Sequence, residues 1–222
     1  MAKIAIFDCF GTLLDKQKDA FFEGLEFLRT SYFPISVSAE ETKNAFLDFV
    51  RDYLKTRTVN EVTFFDFLAY VEERFGFSFA LPKEKLERAF YSSCRKEVPA
   101  PGIAPFLKRL KEKGYRLYVL SNTIFSAGLL KEELDKHGLL SYFDALYFSS
   151  AYGVRKPSDE FYSCLIKGEG IQEEDEVLFF GDTYIDDIAP SVKRGFRPYW
   201  RNGRPSPEAI AFSDYRELMD QF

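Results

Sequence analysis

Histidine and tryptophan are almost missing from this chain, with one residue of each in 222. The solitary His137 excludes a multi-histidine metal site; in "LDKHG" it suits a helix C-terminus, where a partial positive charge meets the macrodipole. Cysteine is also scarce. Cys9, Cys94 and Cys164 are odd in number and far apart, which argues against a disulfide frame or a zinc site and for a reducing interior. No apolar run approaches a membrane span of roughly 20 residues. The N-terminal apolar run is broken by Asp8, too early for a signal peptide. Clustered Lys and Arg are lacking, and the net charge is −5. Phosphate backbones demand clustered cations, so a nucleic-acid partner is disfavoured. The expectation is a cytoplasmic protein with neither nucleic acid nor membrane as partner. Oligomeric state leaves no mark on the sequence.

What is abundant is ring: 25 Phe and 13 Tyr bring aromatics to 18 %. The length suits one core, or one core with a small inserted unit. Two textures divide it. Residues 1–14 and roughly 99–222 alternate short β-branched or aromatic runs with helical patterns. Strands are expected at Lys3–Phe7, Tyr115–Leu120, Ala145–Ser149, Val177–Phe180 and Arg197–Trp200, with helices near 103–113, 127–137, 158–168 and 186–194. Such alternation implies right-handed βαβ crossovers and a parallel sheet. Ser126 and Ser158 stand where helices begin, and Pro190 fits a first helical turn. Residues 16–95 instead carry apolar positions at helical spacing throughout, as in "DAFFEGLEFLR" and "VTFFDFLAYVEERF". They read as an all-helical insert of about four helices, with "VPAPGI" as the return linker.

A parallel sheet gathers functional groups at the carboxyl ends of its strands. Four expected strands lead into chemically capable residues: Asp8 with Gly11 and Thr12; Ser121 and Asn122 in "LSNT"; Lys156 in "GVRKPS"; and Asp182, Asp186 and Asp187 in "GDTYIDD". Each motif alone has a bland reading as a turn or a cap. Together they place a carboxylate, a hydroxyl, an ammonium and an acidic cluster on one edge, which suits phosphoryl transfer. Asp8 would be the nucleophile. Thr12, Ser121 and Asn122 would donate to phosphoryl oxygens, and Lys156 would supply positive charge. Asp182 with Asp186 or Asp187 would hold a hard cation, Mg²⁺, because clustered carboxylates beside a phosphate repel one another without one.

Over its whole length the chain resembles the haloacid dehalogenase-like hydrolases. "FDCFGTLLD", "LSNT", "RKP" and "GDTYIDD" look like that family's four motifs. The resemblance implies a three-layer, Rossmann-like α/β core at 1–15 and 96–222, and a helical cap at 16–95 that closes over a small phosphorylated substrate. It implies Asp8 and Lys156 as catalytic residues. Phe10, Gly11, Thr12, Ser121 and Asn122 would bind substrate, and Asp8, the Phe10 carbonyl, Asp182 and Asp187 would bind Mg²⁺. Asp187 is favoured over Asp186 because "DIAPS" aligns with the family's usual helix start.

Phe10 departs from the pattern. Most phosphatases of the family carry a second Asp there, which protonates the leaving oxygen and then activates water. General acid–base help is worth about 10²- to 10⁴-fold. Three readings follow. The chain is a Mg²⁺-dependent phosphatase that uses a good leaving group or an acid from the cap. Or it is a 2-haloacid dehalogenase, whose halide leaves without a proton; that family branch lacks the acids kept here in "GDTYIDD" and needs an Arg near Phe33–Glu41, where none occurs. Or it binds phosphate or a phosphorylated partner with little turnover. Phosphonate cleavage would need a cap lysine, with Lys43 and Lys55 as the candidates. Cys9 should point away from the site by strand alternation, and Trp200 should pack.

Overall fold

The computed structural model describes residues 1–54 and 60–222. Strand β1 (Lys3–Phe7) is buried from Ile4 onward. A strand covered on both faces needs no polar alternation, which is why this segment reads as one apolar run. The chain then turns and enters β2 (Leu14–Asp19), which pairs antiparallel with β3 (Arg95–Pro99). Between these two strands lie helices α1 (Phe21–Tyr32), α2 (Ala39–Leu54), α3 (Phe64–Phe75) and α4 (Lys83–Cys94). Thereafter helix and strand alternate: α5 (Ile103–Glu112), β4 (Arg116–Ser121), α6 (Ala127–Lys136), β5 (Ala145–Phe148), α7 (Asp159–Gly168) and β6 (Glu176–Gly181). A π-helical turn at Tyr184–Ile188 leads into α8 (Ala189–Lys193), then β7 (Arg197–Arg201), β8 (Ile210–Phe212) and a closing 3₁₀ segment.

Six strands form one sheet in the order β5-β4-β1-β6-β7-β8, with every pairing parallel. Helices cover both faces. Ala5 and Phe7 point into a core shared with Phe106 and Leu107 of α5, whereas Ile4 and Ile6 meet Phe161, Tyr162 and Leu165 of α7. This is the three-layer, Rossmann-like α/β arrangement expected. The aromatic surplus appears as a ladder on one sheet face. The Phe180 ring stacks on Phe7 at 4.5 Å and on Tyr199 at 4.6 Å, and such pairs are each worth about 0.5–1.5 kcal/mol beyond area burial. The chain moves from β1 to β4 and β5 on one side, then crosses to β6 and β7 on the other. That reversal opens a crevice at the carboxyl end of β1.

The expected strands and helices of the sheet layer are present, with ends shifted by a residue or two. The 16–95 segment is not helical to its ends. Lys16–Asp19 belongs to β2, and Arg95 begins β3, so "VPAPGI" is strand in its first part. The ribbon's charged residues, "KQKD" and "RKE", show no strand pattern because backbone pairing, not a buried face, holds it; most of β2 is exposed. The helix expected from 186 begins as the π-type turn. Ser126 and Ser158 do cap helices, accepting from the N–H of Leu129 and Phe161.

Candidate active site

Asp8 continues β1 by one residue, its N–H donating to the Phe180 carbonyl at 2.9 Å. The loop then turns at Gly11, whose φ is +81°. A Cβ at Gly11 would stand 2.2 Å from Asp182 Oδ2, and one at Gly181 would stand 2.4 Å from Asp187 Cβ. Both motif glycines therefore make room for the two acids that approach Asp8. One carboxylate oxygen each from Asp8, Asp182 and Asp187 lies within 4.8 Å of the others. Lys156 Nζ bridges two of them, donating to Asp8 Oδ1 at 2.7 Å and to Asp187 Oδ1 at 2.6 Å.

Asn122 sets the lysine in place. Its Nδ2 donates to the Lys156 carbonyl at 3.0 Å, and its Oδ1 accepts from the Lys156 N–H at 2.8 Å. A two-point clamp on the backbone of one residue fixes both its position and its orientation. Lys156 is 1 % exposed. Burial opposes its charge, but the Asp187 and Asp8 carboxylates reverse this and hold the ammonium above its ordinary range. Burial pushes Asp182 up to about 6, with the Asp8 charge adding to it. Asp187 rises to about 7 by burial and the Asp8 charge, against the pull of Lys156. Three carboxylates thus share one ammonium, and the excess negative charge suits a hard, oxygen-seeking cation.

A cavity of about 420 Å³ opens over this cluster, lined by Asp8, Phe10, Gly11, Asn122, Lys156, Asp182 and Asp187, with Lys16, Thr183 and Asp186. Thr12 and Ser121 lie behind that wall. Thr12 is fully buried with its hydroxyl unpartnered, and Ser121 Oγ accepts weakly from the Cys9 N–H at 3.4 Å. Asp186 is turned aside from the acid cluster, 3.4 Å from Asn122 Nδ2, while its carbonyl accepts from Tyr162 Oη at 2.8 Å. Phe10 is half-buried, and the Arg95 guanidinium sits 5.0 Å from its ring centroid.

Two contributors escape sequence reasoning. Arg201, at the end of β7, donates to the Gly11 carbonyl at 2.7 Å and pairs with Asp15, bracing the turn after Asp8. Trp200 Nε1 donates to the Asp182 carbonyl at 2.9 Å, so this residue reaches the site as well as packing on Tyr184. Neither lies in a motif, and only the parallel pairing of β7 with β6 carries them there. Cys9 is fully buried, and burial and then the Asp8 charge push its thiol well up, so packing is its role. His137 ends α6 beside Glu133 at 3.1 Å. Lys43 lies over the Phe22 ring and lines a separate cavity; Lys55 falls outside the described residues.

A sequence model of haloacid dehalogenase-like hydrolases matches residues 2–190. Pyrimidine 5'-nucleotidase YjjG of Escherichia coli (strain K12) is 32 % identical over 130 residues, 57 % of this chain and 56 % of that protein. Phosphoglycolate phosphatase of Aquifex aeolicus (strain VF5) is 37 % identical over 90 residues, 40 % of each. The chain spans about half the length, or less, of the curated relatives it matches. Among solved structures, a HAD phosphatase from Thermococcus onnurineus superposes with a TM-score of 0.64 at 21 % identity, covering 99 % of this chain and 97 % of that one. A 2-haloacid dehalogenase from Pseudomonas syringae pv. Tomato DC3000 gives 0.69 at 16 % identity, with coverage of 99 % and 97 %. At such identities the structural likeness is one of fold. The sequence match is broader in meaning, since it runs through Asp8, Lys156 and Asp187 alike, and the chain belongs to the haloacid dehalogenase-like hydrolases.

Proposed function

We propose that this hydrolase is a Mg²⁺-dependent phosphatase of a small phosphorylated metabolite, working through an aspartyl phosphate on Asp8. The observation that carries this is the buried Lys156 ammonium bridging Asp8 and Asp187, with Asp182 alongside, at the base of one open cavity. Lys156 holds Asp8 Oδ1, which orients the carboxylate for attack on phosphorus. The same ammonium attracts phosphoryl oxygens. Asp8, Asp182, Asp187 and the Phe10 carbonyl would hold Mg²⁺. When bound, that ion offsets charge so that a carboxylate can approach a phosphate anion. Asp187 is the partner of Asp182 in this reading because it lies within the cluster and Asp186 does not.

The segment α1–α4 acts as the cap, with the β2–β3 ribbon joining it to the core. The names of the curated relatives, nucleotidase and phosphatase, support a phosphate ester as substrate. Retention of Asp182 and Asp187 favours this chemistry over dehalogenation, to which the aromatic Phe10 would otherwise point. Phosphate release from acetyl phosphate should require Mg²⁺ and fall to background in Asp8→Asn. Chloride release from 2-chloropropionate in EDTA would replace this reading with an ester mechanism. Orthovanadate binding without turnover of any phosphate would make the chain a binding module.

A further inference from the structure

A second cavity, of about 300 Å³, lies beside the one that holds Asp8. Phe10, Lys16 and Asn122 line both. The further walls of the second chamber are Phe21 from α1 and Thr123, Ile124 and Phe125 from the loop after β4, with three charged residues that are already paired: Glu61 with Ser149 and Arg155, and Arg95 with Glu97. From the geometry we propose that this chamber takes the ring of a phenolic leaving group, so that the substrate is an aryl phosphate monoester. The inference rests on the phosphatase reading above.

The walls are pre-set. Phe125 is 3 % exposed and stands edge-on to Tyr91 at 4.9 Å, and the Phe10 ring is backed by Arg95. Rigid aromatic walls hold a flat ring at little entropic cost. The chamber is at the small end of ligand cavities, roughly 300–1,000 Å³, which suits a single ring. Its position matters as much as its lining. A phosphate held beside Asp8 has its ester oxygen at the junction of the two cavities, and Phe10 occupies that junction. Phe10 has no proton to give. An alkoxide, whose conjugate acid is about as weak as water, departs poorly without one. A phenolate, with a conjugate acid near that of tyrosine at about 10, departs readily. The aromatic walls of the chamber and the lack of an acid at position 10 therefore select the same substrate. Lys16 lines both cavities, and its ammonium pairs with Asp19 at 3.1 Å.

In the first step the Asp8 Oδ–P bond forms as the P–O(aryl) bond breaks, and the phenolate carries off the electron pair and is protonated by bulk water. In the second, water attacks phosphorus, the Asp8 O–P bond breaks, and the water's proton passes to solvent. The sum is aryl phosphate and water giving phenol and phosphate.

The test compares substrates on the whole chain with Mg²⁺. The wild type should use phenyl phosphate at least about ten-fold better in kcat/KM than ethyl phosphate or uridine 5'-phosphate. In Ile124→Trp, which fills the chamber, the ratio of kcat/KM for phenyl phosphate to that for acetyl phosphate should fall about ten-fold, the worth of a lost ring contact. An unchanged ratio overturns the inference. So does equal or better use of ethyl phosphate or uridine 5'-phosphate by the wild type, while leaving the phosphatase reading intact. No phosphate release from acetyl phosphate removes that reading, and this inference with it.

Discussion

At position 10 a phenyl ring stands beside the Asp8 carboxylate, and its neighbours decide what an acid there would do. The Arg95 guanidinium lies 5.0 Å from the ring centroid, so a carboxyl placed at this point would be held ionised more than is ideal for proton donation. Phe10→Asp should still raise kcat on ethyl phosphate, by about 10²-fold, the lower end of general acid–base help. The same change should raise KM for phenyl phosphate, because the wall between the cavities is gone. Steady-state kinetics on both substrates checks this; no gain on ethyl phosphate, with fold and Mg²⁺ affinity preserved, would refute the site geometry. The importance of Asp8 was legible from its place after an apolar strand. That Asn122 clamps the Lys156 backbone was not, because a side-chain amide donates equally well to a phosphate or to a backbone carbonyl, and only spatial neighbours distinguish the two.

Buried acids help to join the helical segment to the sheet layer. On α4, the buried Glu87 accepts from the Ser126 N–H at 2.7 Å and pairs with its hydroxyl at the start of α6. Ahead of α3, Glu61 accepts from Ser149 Oγ at 2.6 Å and pairs with Arg155, while its N–H donates to the Gly153 carbonyl. Burial raises Glu61 from 4.5 to about 7, with the Ser149 hydrogen bond opposing. The folded chain thus retains a proton that the unfolded chain releases. Its contribution is complete below about pH 4.5 and is lost as pH rises through about 7. Glu61→Gln should remove on the order of 2 kcal/mol of that pH dependence. Urea midpoints at about pH 5 and about pH 7.5 read it; parallel pH profiles for wild type and variant would contradict it. The helices themselves follow from apolar spacing, and a capping box of Thr63 with Asp66 opens α3. The polar β2–β3 ribbon does not, since it forms only when chain segments 76 to 85 residues apart meet, from Asp19 with Arg95 to Leu14 with Pro99.

The whole molecule brings its chemistry together at one sheet edge from segments scattered between Asp8 and Trp200. The lone tryptophan is a native probe of that assembly. Its indole N–H donates to the Asp182 carbonyl, and its ring packs 5.3 Å from Tyr184. Titrating Mg²⁺ with beryllofluoride should therefore shift Trp200 fluorescence in step with binding measured by calorimetry. Calorimetric binding with a silent tryptophan would separate Trp200 from the proposed metal site. By itself the sequence determined the layered fold, the helical insertion and the motif residues, because apolar periodicity and strand-end chemistry are local properties of a chain. It favoured Asp187 over Asp186 only by alignment, and left open what Asn122 and Arg201 hold and which rings line the two cavities. Those were decided by tertiary structure alone, since the direction of a side chain depends on the packing of residues far away in sequence.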